Sequence, residues 1–229
     1  MKTIGLIGGM SWESSVEYYR IINELVQQRL GKPHSAKCVM YSVDFAEIEL
    51  LQRQGDWEQA TQAMISAARC VEAGGADFLL ICTNTMHKMA QEVQDSLSIP
   101  LLHIADATAR AVKAQGIRTV GLLGTRFTME GDFYKGRLEE NHALRVLIPG
   151  PAERELVHRV IYDELVVGEI RPASRDRYRQ VIAGLVEAGA EGIVLGCTEI
   201  GLLVKPEDSP RPLFDTTQIH AEAAVDFAI

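Results

Sequence analysis

The stretch Leu79-Leu80-Ile81-Cys82-Thr83-Asn84-Thr85-Met86-His87 decides the fold: an apolar run stops abruptly at a thiol, two hydroxyls, an amide and an imidazole. A second run, Gly192-Ile193-Val194-Leu195-Gly196-Cys197-Thr198-Glu199, stops in the same way. Both are continuously apolar and follow Gly/Ala turn signals, the pattern of a strand buried on both faces of a parallel sheet. Ligands of open parallel sheets sit beyond the carboxyl ends of the strands. Two such ends, each with a nucleophile-grade side chain, therefore predict two half-sites facing one ligand.

Outward from these runs the chain repeats itself. Thr119-Val120-Gly121-Leu122-Leu123-Gly124-Thr125 restates Thr3-Ile4-Gly5-Leu6-Ile7-Gly8-Gly9, and Pro212-Leu213-Phe214-Asp215-Thr216 restates the segment 100–106. A period near half the chain marks an internal duplication. The architecture it implies is α/β: two pseudo-symmetric Rossmann-like domains with parallel sheets and an interdomain cleft. The expected limits are 1–100 plus 212–229 for the first domain and 101–211 for the second, with a crossover at the Pro/Asp/Ser cluster 206–212. In the first half, strands are expected at 3–8 and 38–45 and helices at 12–30, 57–73 and 86–97, with a polar connector holding Gln52, Arg53, Gln54 and Gly55. The helix over 12–30 places Val16, Tyr19, Ile22 and Val26 on one side. The second half predicts helices at 127–141, 157–167, 175–188 and 220–229 and a strand at 144–148.

Setting Ala76-Asp77 against Ala190-Glu191 gives an offset of 114 residues (190 − 76), which places Thr83 on Cys197 and Cys82 on Gly196. Strand side chains alternate faces, so Cys82 and Thr83 point oppositely. The register makes Thr83 the partner of Cys197, with Cys82 as the alternative.

The composition, 47% hydrophobic and 24% charged over 229 residues, is that of a globular protein with ample core. A net charge of −8 argues against a nucleic-acid or anionic-membrane partner, while leaving room for a locally positive site. No apolar run reaches the ~18 residues of a membrane span. The start, Met1-Lys2-Thr3-Ile4-Gly5, enters a strand at once, giving the expectation of a cytoplasmic protein without a signal peptide. Cys38, Cys70, Cys82 and Cys197 show no C-x-x-C spacing and read as reduced thiols. Gly8-Gly9-Met10-Ser11-Trp12-Glu13 is a turn whose backbone N–H groups suit an anion at a helix start. It matches neither G-x-x-x-x-G-K-[ST] nor G-x-G-x-x-G, so no nucleotide cofactor is expected. The absence of H-x-x-x-H or paired Cys/His spacing predicts no metal.

An acid/base group from each half, facing one carbon, suits removing a proton from one face and returning one to the other. That is racemisation or epimerisation. Cys197 serves as a base only as thiolate, from a reference pKa of about 8.5, which N–H donors at a helix start would lower. Otherwise it is a small buried hydrophobe, the reading given to Cys38 and Cys70. Asn84, Thr85 and Thr198 offer donors to a carboxylate, or ordinary helix caps. His87 reads as a structural hydrogen-bonder. Glu199 either holds a substrate amine or complements its helix dipole.

Cys82-Thr83-Asn84-Thr85 and Gly196-Cys197-Thr198-Glu199, with Gly8-Gly9-Met10-Ser11-Trp12 and Leu123-Gly124-Thr125, resemble the aspartate/glutamate racemase superfamily over essentially the whole chain. The likeness is strongest to bacterial amino-acid racemases active on L-aspartate and L-glutamate. It implies a cofactor-independent, two-base enzyme of two α/β domains, a homodimer acting on a small-molecule amino acid. Carried over residue by residue, Cys197 matches the family's second-half cysteine. Asn84 and Thr85 match the Asn-Thr that binds the α-carboxylate, Met10 and Gln52 fall where the pocket is lined, and Thr125 and Thr198 complete the binding set. The family's first-half cysteine, directly before Asn-Thr, is here Thr83, implying an asymmetric Thr83/Cys197 pair. Where some aspartate racemases carry a lysine for the distal carboxylate, this chain offers Asp163 and Glu164. Glu164 is thus expected at the substrate and widens its range. The alternatives are a hydantoin racemase, decarboxylase or maleate-type isomerase of the same superfamily, or a non-catalytic amino-acid binder.

Overall fold

Each repeat opens with the same clamp. Asp77 Oδ2 accepts from the Thr3 N–H at 2.6 Å, and Glu191 Oε2 accepts from the Arg118 and Thr119 N–H groups at 2.9 and 2.8 Å. The two acids stand 114 residues apart (191 − 77), the offset expected from the sequence. In the computed structural model, which describes residues 1–229, the chain divides into unit 1 (Met1–Ile104 and His220–Ile229) and unit 2 (Ala105–Ile219).

Unit 1 runs β1 (Ile4–Gly8), α1 (Trp12–Leu30), β2 (Cys38–Ser42), α2 (Phe45–Gln54), α3 (Trp57–Ala73), β3 (Phe78–Ile81), a 3₁₀ turn (Thr85–Met89) and α4 (Ala90–Asp95). The strands are parallel in the order β2-β1-β3, with Ile7 opposite Tyr41 and Ile81. Ser11, Asp44 and Asp56 start the first three helices by accepting from the N–H groups of Ser14, Ala46 and Gln59. At Gly9 the backbone holds φ +92°, and a Cβ there would lie 2.2 Å from the Val43 carbonyl, so only glycine fits.

The sheet separates two layers. Ile4, Leu6, Phe78, Leu80 and Cys82 pack with Tyr18, Ile22 and Val26 of α1 and with Ala221, Ala224 and Val225 near the C-terminus. Ile7, Leu79 and Ile81 pack with Met64, Ala67 and Val71 of α3. On α1 the buried stripe is Tyr18, Ile22 and Val26; Val16 and Tyr19, expected on that side, are exposed. Tyr18 takes the inner place because its hydroxyl finds a buried partner, His220 Nδ1 at 2.9 Å.

The expected polar connector around Gln52 is the helix α2. Asp44 caps it, Gly55 ends it at φ +70°, and Phe45, Ile48 and Leu51 form its inner stripe. The helix expected over 86–97 is divided between the 3₁₀ turn and α4.

Unit 2 runs α5 (Ile104–Ala114), β4 (Thr119–Gly124), α6 (Arg126–Glu130), α7 (Lys135–Glu140), β5 (Arg145–Leu147), α8 (Pro151–Asp163), α9 (Pro172–Glu187), β6 (Gly192–Gly196), α10 (Ile200–Leu203), β7 (Leu213–Asp215) and the first turn of α11 (Thr216–Ala228), whose remainder from His220 belongs to unit 1. Its sheet is parallel in the order β5-β4-β6-β7. The single helix expected over 127–141 is broken at Gly131, where the chain turns extended between α6 and α7. The helix expected from 157 begins six residues earlier (157 − 151) at Pro151, whose fixed φ and missing N–H suit a first helical position.

The division of the chain falls later than the expected limits at 100 and 211. Leu101 bridges to Leu79 beside β3, and β7 pairs with β6, so each short strand completes the sheet it follows. Only the helix after it belongs mostly to the other unit, from Ala105 and from His220.

Unit 2 is stapled by Asp208. Its side chain is fully buried and accepts from Arg175 Nε at 2.7 Å, Arg179 Nε at 2.5 Å and the Lys205 N–H at 2.7 Å. Burial alone would raise its pKa; Arg175, the Lys205 N–H and Arg179 together draw it down to about 2. A folded value below the unfolded ~3.9 gives stability that is complete above that pH and is lost as pH falls through about 2. Asp208→Asn is expected to lower the melting temperature at neutral pH by roughly 5 °C. It should also flatten the dependence of stability on pH on the acid side, followed by circular dichroism. An unchanged acid limb would contradict this assignment.

Candidate functional site

The ladder of β3 runs one residue past the strand: the Cys82 N–H donates to Ile7 O at 2.9 Å. Alternation therefore holds as far as Cys82, which lies fully buried in the layer of Tyr18 and Val225. Burial pushes its thiol pKa far above the ordinary range. Thr83 leaves that layer and is half-buried. Its carbonyl accepts from His87 Nδ1 at 2.8 Å.

Asn84 and Thr85 are buried behind it, and the Asn84 side chain makes no cap bond to the 3₁₀ turn it precedes. Gln52, buried on α2, donates from Nε2 to Met86 Sδ at 3.1 Å, and Met10 and Met86 share one cluster with Ile48. The structure thus gathers Met10, Gln52 and Met86 beside the turn that follows Thr83. The turn after β1 differs from expectation. The Gly9 N–H donates to Ser15 Oγ at 2.8 Å, and that hydroxyl donates to Ser11 O at 2.7 Å, so this N–H is spent inside the protein.

At the end of β6, Cys197 is 9% exposed and its thiol donates to Glu199 Oε2 at 2.9 Å. Burial is the main cause that raises its pKa well above the usual value, and the Glu199 charge and hydrogen bond add to it. The N–H groups of Glu199 and Thr198 pull in the opposite direction. The resting sulfur is therefore a thiol with a carboxylate placed to take its proton. Thr198 Oγ1 is buried with no hydrogen-bond partner, so its donor and acceptor capacity is unspent by the protein.

Behind Cys197, the fully buried Tyr178 donates to Val157 O at 3.1 Å. Burial is the main cause that raises its pKa, and the acidic groups Cys197 and Glu164 add to the rise. Glu164 accepts from Ser174 Oγ at 2.7 Å, meets Arg171 at 3.5 Å, and lines a groove of about 310 Å³ with Arg159 and Arg177. Thr125 Oγ1 accepts from the Thr128 N–H at 3.2 Å, so helix capping accounts for that residue. No three His, Cys, Asp or Glu side chains converge as a metal site requires.

The sequence reading places Glu199 beside Cys197, to hold a substrate amine or complement its helix dipole; the structure shows it accepting from the thiol. Tyr178 is missed and gives no local signal, because its place depends on the packing of α9.

Residues 7–224 match the family model described as Asp/Glu/hydantoin racemase. A broad-specificity amino-acid racemase of Bacillus subtilis is 23% identical, aligned over 97% of this chain and 96% of its own. Among solved structures, a candidate Asp/Glu racemase from Yersinia pestis is 55% identical with a TM-score of 0.92, covering 100% of this chain and 99% of that one. An aspartate racemase homologue from Pyrococcus horikoshii is 34% identical with a TM-score of 0.85 over the same shares. The glutamate racemase of Aquifex pyrophilus, 16% identical with a TM-score of 0.64 over 99% and 84% of the two chains, shares the fold.

The Cys197–Glu199 pair has a direct readout. Glu199→Gln removes the charge that raises the thiol pKa and leaves a weaker, neutral acceptor, so Cys197 should alkylate with iodoacetamide faster than in the wild type at any fixed pH below the thiol pKa. The gain is about tenfold for each unit the pKa falls. Peptide mass spectrometry reads it, with the exposed Cys70 as internal reference. An equal or slower rate would contradict the assignment.

Proposed function

This chain belongs to the Asp/Glu/hydantoin racemase family, and from that premise we propose that it interconverts the L and D forms of an acidic amino acid without a cofactor. The transfer is two-base: Cys197 serves one face of Cα and Thr83 the other. The observation that carries this reading is the duplicated strand end, which presents a hydroxyl after β3 and a carboxylate-paired thiol after β6.

In one direction the thiol proton passes to Glu199, and the thiolate, stabilised by the Thr198 and Glu199 N–H groups, takes the proton from Cα. The bonding pair stays on carbon. The Thr83 hydroxyl then gives its proton to the opposite face and regains one from water, and Glu199 returns the proton it took to solvent, neutralising the hydroxide and restoring the resting thiol–carboxylate pair. The reverse sequence converts the other enantiomer. A hydroxyl is a far weaker acid and base at neutral pH than a thiol, so the two proton transfers have unequal barriers, while the equilibrium between enantiomers is untouched. Asn84, Thr85 and Thr198 are assigned to the α-carboxylate; the buried, unspent Thr198 hydroxyl supports this.

The Glu164 carboxylate near Tyr178 supports a substrate range wider than aspartate alone, since a second carboxylate would be repelled there except where Arg171 offsets it. The broad-specificity relative agrees with that reading. A homodimer is supported by the exposed Trp12, Val16 and Tyr19 on α1. Four free cysteines suit a reducing cytoplasm, and no helix is long and apolar enough to cross a membrane.

The deciding experiment is exchange of the α-proton of L- and D-aspartate and glutamate in D₂O, followed by NMR without added cofactor. Wild type exchanges both enantiomers, and Cys197→Ala loses racemisation by on the order of 10²-fold or more. Full racemisation in Cys197→Ala would overturn the proposal. Tight binding with no exchange in the wild type would instead favour a non-catalytic binder.

A further inference from the structure

Unit 1 buries three imidazoles that the proton transfer itself leaves unused: His87 at 2%, His103 at 8% and His220 at 0% exposure. His87 Nδ1 faces the Thr83 carbonyl at 2.8 Å, and a carbonyl only accepts, so Nδ1 carries the hydrogen. Nε2 is then bare and accepts from the Ile104 N–H at 3.2 Å. Only the neutral Nδ1–H tautomer makes both bonds. His220 is fixed by the same logic: Nε2 donates to Leu102 O at 2.8 Å, and Nδ1 accepts from the Tyr18 hydroxyl at 2.9 Å. The rings touch, with His87 centred 4.5 Å from His103 and 5.9 Å from His220.

These bonds converge on particular places in the chain. The Thr83 carbonyl lies beyond the last ladder bond of β3, so no neighbouring strand holds its peptide. The Ile104 N–H belongs to the first residue of α5, among the donors that a helix cannot satisfy itself. Ile104 is also where the chain leaves unit 1, and His220 is where it returns. One cluster of rings therefore ties the peptide of Thr83 to both passages.

We propose that His87, backed by His103 and His220, is a positioning residue for the Thr83 side of the reaction. Its Nδ1–H fixes the Thr83 peptide plane, and with it the direction of the Thr83 hydroxyl. This rests on the reading of Thr83 as the group serving one face of Cα. Misplacement of a reacting group by about 1 Å costs on the order of 10²-fold in rate, and here the cost falls on one face only.

The test measures exchange in D₂O from each enantiomer separately. Thr83→Ala should abolish exchange from the enantiomer whose Cα–H faces residue 83 and spare the other, which Cys197 exchanges with retention. His87→Leu should slow the same enantiomer by on the order of 10²-fold and spare the other. His87→Asn, whose amide N–H stands where Nδ1–H stood, should restore most of that loss, and circular dichroism melts establish that each variant is folded. If His87→Leu slows both enantiomers alike or neither, or if His87→Asn is as slow as His87→Leu, the inference is overturned while the Thr83 reading stands. If Thr83→Ala leaves both enantiomers unaffected, the Thr83 reading falls and the inference falls with it.

Discussion

Side chains on a strand alternate between its faces, and at the end of β3 that alternation decides which side chain is buried. Phe78, Leu80 and Cys82 enter the layer of Tyr18, Ile22 and Val225, while Leu79 and Ile81 face α3. Cys82 is thereby committed to the interior, and Thr83 is the first residue freed from that layer. In the second repeat the position equivalent to Cys82 is Gly196, where a Cβ would lie 2.9 Å from the Leu123 carbonyl. Unit 2 has no room for a side chain there, so the first side chain after the strand is that of the next residue, Cys197. The same register holds in both halves, and only the atoms offered differ.

The two strand ends are supported differently. Burial and Glu199 together raise the Cys197 thiol, so its proton rests on sulfur. The Glu199 and Thr198 N–H groups act in the opposite direction. At Thr83 the contact is to the backbone, whose carbonyl accepts from His87 Nδ1. A thiol with its own proton acceptor can be tuned by charge. A hydroxyl of high intrinsic pKa gains most from being held in place.

The parts of this molecule legible in the sequence are those set by local pattern. The α1 limits and the apolar strands β1, β3, β4 and β6 follow from periodicity, and the 114-residue offset recovers the paired clamps of Asp77 and Glu191. Where two local signals compete, the reading fails. Arg53, Gln54 and Gly55 look like a loop, yet the Asp44 cap and the Phe45, Ile48, Leu51 stripe make a helix. Gly131 breaks a segment whose flanks both favour helix. What depends on distant partners leaves no local trace. β7 joins unit 2 only by pairing with β6, and His220 meets Leu102 across 118 residues of chain. The positions of Asn84, Thr85 and Thr198 past the strand ends were legible, and the structure buries all three. The places of Tyr178 and the histidine cluster were not, because they are set only by folding.

The most direct measurement is a crystal structure with an acidic amino acid bound. The account predicts Thr83 Oγ1 on one face of Cα and Cys197 Sγ on the other, each within about 4 Å of the carbon, with the α-carboxylate on Asn84, Thr85 and Thr198. A bound substrate whose Cα meets only one of these atoms, or meets Cys82 in place of Thr83, would contradict it.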